Sequence, residues 1–190
     1  MFEIHVTVLS NDVEGFKNDC AIFGCKPLLI ELQHDTGSYQ QLMTSQSFRH
    51  SDWNLEIEKI KNKIESKYEI KRIKVEINPY AYNDVPIKYY ETHLRIKTNA
   101  DEEILLKKLT TRFGFHKSKN VFKKIDDNFY YQMATYRTYD QDIKKFENVI
   151  AEFKEELAKN NFSFDKIEVE ACIIDTNDSL DKKWLENNKN

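Results

Sequence analysis

The sequence predicts an α+β protein made of two tandem ferredoxin-like lobes, each a βαββαβ unit with an antiparallel sheet, related by a pseudo-two-fold axis. Three observations predict it. Residues 2–8 (FEIHVTV) and 90–96 (YETHLRI) share an aromatic-Glu-x-His-apolar-x-apolar pattern, with the two histidines 88 positions apart. The periodic segments after each copy follow the same order, which is that of the split βαβ unit. Gly24 and Gly114, Met43 and Met133, and Glu76 and Glu170 then recur at offsets that drift from 90 to 94.

In the first lobe, Phe2, Ile4, Val6 and Val8 alternate with Glu3, His5 and Thr7, the period of a half-buried strand. Ser10, Asn11 and Asp12 offer helix caps before the stripe Val13, Phe16, Cys20, Phe23, which Gly24 ends. Lys26–Leu32 and Tyr39–Phe48 read as strands about a turn at His34–Ser38. Ser51 opens a helix with Trp53, Ile57, Ile60 and Ile64 on one face, and Arg72–Asn78 closes the lobe as a strand. In the second lobe, Tyr90–Lys97 is a strand and Asp101–Phe113 a helix with Ile104, Leu105 and Leu109 inward. A hairpin follows, His116–Ile125 and Asn128–Tyr139, turning at Asp126-Asp127-Asn128. Asp140–Asn160 is a long helix and Lys166–Asp175 the last strand. The predicted division is residues 1–80 for lobe one, 81–88 for a linker, 89–175 for lobe two and 176–190 for a polar tail. In that tail Leu180, Trp184 and Leu185 suit one docking turn.

Composition narrows the function classes. The 190 residues carry a net charge of −3, so no excess of basic charge favours non-specific duplex binding. The three cysteines, Cys20, Cys25 and Cys172, lack metal-type spacing and fit a reduced, cytoplasmic setting. No apolar run reaches membrane-span length, and Met1 runs straight into a strand pattern without a signal segment. No phosphate-cradling glycine loop or nucleophile elbow occurs. No cofactor is expected. Edge strands leave oligomerisation open.

Strand parity locates the chemistry. If both helices of a lobe cover one sheet face, the apolar residues point there and the alternate set faces the open side. That set is Glu3, His5 and Thr7 with Arg72, Lys74, Glu76 and Asn78 in lobe one. In lobe two it is Glu91, His93, Arg95 and Lys97 with Glu168, Glu170 and Cys172. A one-sided sheet normally shows charged residues to water, which accounts for Lys74, Glu76, Arg95, Glu168 and Glu170 without any function. It accounts less well for two histidines in equivalent strands. His5 and His93 are therefore the catalytic candidates, with Thr7, Arg95, Lys74, Glu3, Glu91 and His116 as substrate-binding candidates. His34 and His50 fall in polar loops, and Lys26 and Arg137 cannot be assigned a face.

His5-Val6-Thr7-Val8 resembles the HxTx motif of the 2H phosphoesterase superfamily, whose members are two-lobed with one such motif in each half. The resemblance implies that His5 and His93 act as general base and acid on a 2′,3′-cyclic or 2′-5′ phosphodiester, with Thr7 holding phosphate. It implies a phosphate-containing small molecule or an RNA end as partner. The second copy departs from the motif, because Arg95 stands where the second hydroxyl belongs, although arginine binds phosphate well. Two alternatives stay open: a metal site made of Glu3, His5, Glu91 and His93, and a non-catalytic module that binds a small ligand or a protein.

Overall fold

The computed structural model describes residues 1–34, 37–49, 52–82, 85–122, 125–126 and 128–181. Its elements are β1 (Phe2–Leu9), α1 (Val13–Phe23), β2 (Lys26–His34), β3 (Gly37–Phe48), α2 (Trp53–Ile64), β4 (Glu69–Ile77), β5 (Tyr89–Thr98), α3 (Glu103–Arg112), β6 (His116–Asn120), β7 (Tyr130–Thr138), α4 (Ile143–Lys159) and β8 (Ser163–Asp175). A short 3₁₀ turn, Asp178–Asp181, follows.

The predicted pair of separate sheets is overturned. All eight strands form one closed barrel in the order β1-β3-β2-β6-β7-β5-β8-β4. The reason lies at the edges. Each half of the chain makes a four-stranded antiparallel sheet with two unpaired edges, and open edges leave backbone donors and acceptors unsatisfied. Here they satisfy one another. β4 pairs with β8 through Lys74↔Asp175, Val75↔Ile174, Glu76↔Cys172 and Ile77↔Ala171. β2 pairs with β6 through Ile30↔Asn120, Glu31↔Lys119 and Leu32↔Ser118. The two sheets become half-barrels, and their helix-free faces become one interior.

The apolar core is consequently a shell between barrel and helices. One cluster joins Ile4, Val6, Phe16, Cys20, Ile64 and Val75 of the first half to Tyr90, Phe146, Ile150 and Ala171 of the second, so it crosses the β4–β8 seam. The other holds Leu94, Ile96, Leu106, Phe115, Phe153 and Leu157. Burial of a large apolar side chain contributes about 1.5–3 kcal/mol, so this shell is what holds the barrel's charged lining in place.

Local signals explain the helix positions. Asp12, Asp52 and Asp142 cap α1, α2 and α4 by accepting hydrogen bonds from first-turn amides. Gly24 ends α1 at φ 72°, a left-handed conformation that glycine adopts without strain. Three local expectations change. In α3 the buried stripe is Leu106, Leu109 and Thr110, while Ile104 and Leu105 face solvent. The strand β6 stops at Asn120, well short of Ile125. His34 belongs to β2 and not to a turn. Ser51, His50, Asp127, Trp184 and Leu185 lie outside the described residues. No helix among the described residues is long and apolar enough to cross a membrane.

Candidate active site

Closure turns strand parity into a cavity. The inward residues of the strands surround a volume of about 610 Å³, well within the range of small-molecule sites. Glu3, His5, Thr7, Lys74, Glu91, His93 and Arg95 all line it, so seven sequence candidates converge there. His116 does not line it, although it lies opposite Thr135 in the β6–β7 ladder.

The two histidines occupy equivalent places. His5 on β1 lies opposite Ser45 and Lys74, whereas His93 on β5 lies opposite Thr135 and Glu168. His5 Nε2 is 3.1 Å from Glu76 and 3.5 Å from Glu3. His93 Nε2 is 3.6 Å from Glu170 and 3.8 Å from Glu91. Each imidazole thus faces two carboxyl groups drawn from matching strand positions.

Their surroundings then diverge. The Lys74 ammonium is 2.6 Å from Glu76 Oε1 and also bonds Glu91 Oε2. A continuous path therefore runs His5–Glu76–Lys74–Glu91–His93 across the β4–β8 seam. Burial would push the Glu76 carboxyl up, but Lys74 and His5 bring it down to about 2. Burial also opposes ionisation of Glu91, yet Arg137 and Lys74 hold it well below the usual carboxylate range. Glu170 has no such cation. Burial and the nearby Glu76 charge push it well above the usual range, against the weaker pull of Lys74.

The imidazoles follow their neighbours. Burial lowers His5, but the hydrogen bond and charge of Glu76, with Glu3, more than reverse it, and its pKa is raised. Its Nδ1 meets the Thr44 carbonyl at 3.2 Å, an acceptor only, so that nitrogen carries a proton. Burial dominates at His93, and with Lys74 it outweighs Glu91, so that pKa is lowered. His93 Nδ1 meets the Thr135 hydroxyl at 2.8 Å, and a hydroxyl can donate to an unprotonated nitrogen. One histidine's surroundings favour the cation and the other's favour the neutral ring.

A second network seals the seam. Arg72 donates to Asp175 at 2.8 and 2.6 Å and to Asp181 at 2.7 Å. Arg137 donates to Glu91 at 3.1 and 2.9 Å and to Asp181 at 2.8 Å, and lies over the Tyr89 ring. Asp181 therefore links an arginine of each half-barrel. Sequence reasoning missed Asp181 because the polar tail gave no reason to expect it inside. It left Arg137 unassigned because residues 129–139 are aromatic on both parities. Glu76 and Glu170 had the right parity but read as ordinary sheet-surface charges.

The remaining candidates take different places. Arg95 is clamped by Asp165 at 2.7 and 2.8 Å and stacks on Tyr131. Thr7 is buried, opposite Arg72. Among the described residues, Glu76, Glu91 and His93 bring donor atoms within 4.8 Å of one another, and Glu91 and His93 of that trio belong to the metal alternative. The Lys74 ammonium already sits between the two carboxylates of that trio.

No protein-family model and no curated protein matches the chain. Several solved structures align with it at low similarity. A provisionally assigned chlorite dismutase shares 14% identity at a TM-score of 0.33, over 96% of this chain and 97% of that one. A heme-binding protein from Thermus thermophilus shares 11% at 0.32, over 90% of each chain. A provisionally assigned monooxygenase from Fusobacterium nucleatum shares 9% at 0.33, over 92% of each. At these values the likeness carries no inference about activity.

Proposed function

We propose that this chain is an acid–base enzyme acting on a phosphodiester inside the barrel, with His93 as base and His5 as acid. The observation that carries the reading is the convergence of His5 and His93, from opposite half-barrels, on one cavity where Glu76, Lys74 and Glu91 join them. General acid–base catalysis needs one partner that accepts a proton and one that donates it near neutral pH. The neutral His93 takes a proton from the attacking water as its oxygen bonds to phosphorus. The His5 imidazolium gives a proton to the departing ester oxygen as the P–O bond breaks.

The charged lining is largely paired within itself. Six Lys or Arg residues and six Asp or Glu residues line the cavity, and of the six cations only Lys26 has no carboxylate partner among the described residues. The test is turnover of a 2′,3′-cyclic nucleotide and bis(4-nitrophenyl) phosphate. His5→Ala and His93→Ala are each expected to lower kcat by about 10²–10⁴-fold. Absence of turnover by the unaltered protein across cyclic and linear diesters would sink the reading.

A further inference from the structure

The inner face of β7 changes character along its length. Arg137, Thr135, Met133 and Tyr131 all line the cavity in succession: a cation, a small hydroxyl, a thioether and a tyrosine ring. Alternate strand residues are about 6.8 Å apart, so Arg137 and Met133 stand about 13 Å apart along the barrel wall. Leu28 of β2 and Met43 of β3 also line the cavity, and with Met133 and Tyr131 they are only partly buried. Large apolar side chains left accessible to a cavity are surface that a ligand can cover, and methionine adapts its shape to what it meets.

The polar end carries an independent sign of a ligand. Arg137 has a side chain only 2% exposed, and its Nε and Nη2 groups are used by Glu91 and Asp181. Its Nη1 group has no hydrogen-bond partner among the described residues. A buried donor left unsatisfied costs about 1–3 kcal/mol, so an acceptor that completes it is favoured.

We propose that the cavity takes a monoanionic amphipathic molecule, its charged oxygens on Arg137 and its apolar body along Thr135, Met133 and Tyr131 against Leu28 and Met43. This rests on the same cavity as the phosphodiesterase reading and narrows its substrates to diesters with one apolar ester arm. An eight-carbon chain is about 9 Å long, enough to pass Thr135 and reach toward the Met133 side chain at the spacing given by strand geometry.

Calorimetric titration with four probes tests it: octanoate, octyl methyl phosphate, acetate and 1-octanol. Octanoate and octyl methyl phosphate are expected to bind at least about tenfold more tightly than acetate, which lacks the arm, or 1-octanol, which lacks the charge. Arg137→Gln should bring octanoate down to the level of 1-octanol. Met133→Asn leaves the ion-pair network intact and should weaken octanoate about fivefold while leaving acetate unchanged. Octanoate binding no better than acetate, or indifferent to Met133→Asn, would overturn the proposal. Binding of both octyl anions without diester turnover would retire the hydrolase reading and keep this one. Turnover of small diesters with no preference for the octyl arm would do the reverse.

Discussion

The two half-barrels present the same motif and give it opposite electrical settings. In the first, Lys74 stands opposite His5, neutralises Glu76, and leaves an ionised carboxylate to stabilise the imidazolium. In the second, Glu168 occupies the position opposite His93, and burial pushes Glu170 beside it well above the usual carboxylate range. The backbone pairing is equivalent, but Glu76 outweighs burial at His5, whereas burial prevails at His93. Equivalent folds thus carry complementary chemistry, and an acid and a base need that complementarity more than they need symmetry.

The largest effect should come from removing the residue that makes the halves differ. Lys74→Met leaves Glu76 and Glu91 facing each other with less countercharge, and breaking such a buried pair costs about 3–5 kcal/mol. Chemical denaturation would register this as a lower midpoint at an unchanged slope; a loss below about 1 kcal/mol would break the claim that Lys74 holds the seam.

Asp181→Asn tests the second seam contact. It weakens the hydrogen bonds from Arg72 and Arg137 together, and hydrogen bonds to charged groups contribute about 1.5–3 kcal/mol each. A destabilisation of about 2 kcal/mol is expected from thermal unfolding. No change would show that the tail turn merely rests on the barrel.

Stability should also follow pH in a way that separates the halves. Glu76 and Glu91 are held below their ordinary value of 4.5, so their contribution is present above it and lost as pH falls through their folded values. His5 is raised above 6.5, so its contribution is full below 6.5 and lost as pH rises through its folded value. Glu170 is raised above 4.5, so its contribution is full below 4.5 and fades at higher pH. His93, lowered from 6.5, opposes part of this by favouring the fold above 6.5. Urea midpoints should therefore peak between about pH 4.5 and 6.5. A maximum in the alkaline range would contradict the assignment.

A smaller effect belongs to the second half alone. Thr135→Val removes the hydroxyl from His93 Nδ1 and should cost about 0.5–1.5 kcal/mol, with the tautomer change visible in the ¹⁵N shifts of the ring.

Much of this site was legible in the sequence because strand parity is strict. Glu3, His5, Thr7, Glu91, His93 and Arg95 could be placed on helix-free faces from the alternation of Phe2, Ile4, Val6 and of Leu94, Ile96. Barrel closure was not legible. The β2–β6 and β4–β8 pairings join edges roughly 90 residues apart, and no turn or pattern connects them. Arg137 was hidden for a different reason: Tyr130, Tyr131, Tyr136 and Tyr139 blur the alternation of β7, so no face could be chosen. The charge state of Glu170 depends on which cation reaches it, and that is settled only when Lys74 turns toward Glu76 and Glu91.

That His5 and His93 share one cavity with opposite protonation preferences can be read from their titration curves. Histidine-labelled protein followed by NMR, with His5→Gln and His93→Gln identifying the two signals, supplies them. His5 is expected to titrate above the ordinary imidazole value of 6.5 and His93 below it, with each substitution shifting the other's curve. Two independent curves at the same pH, or the reverse order, would show that the halves are not an acid and a base.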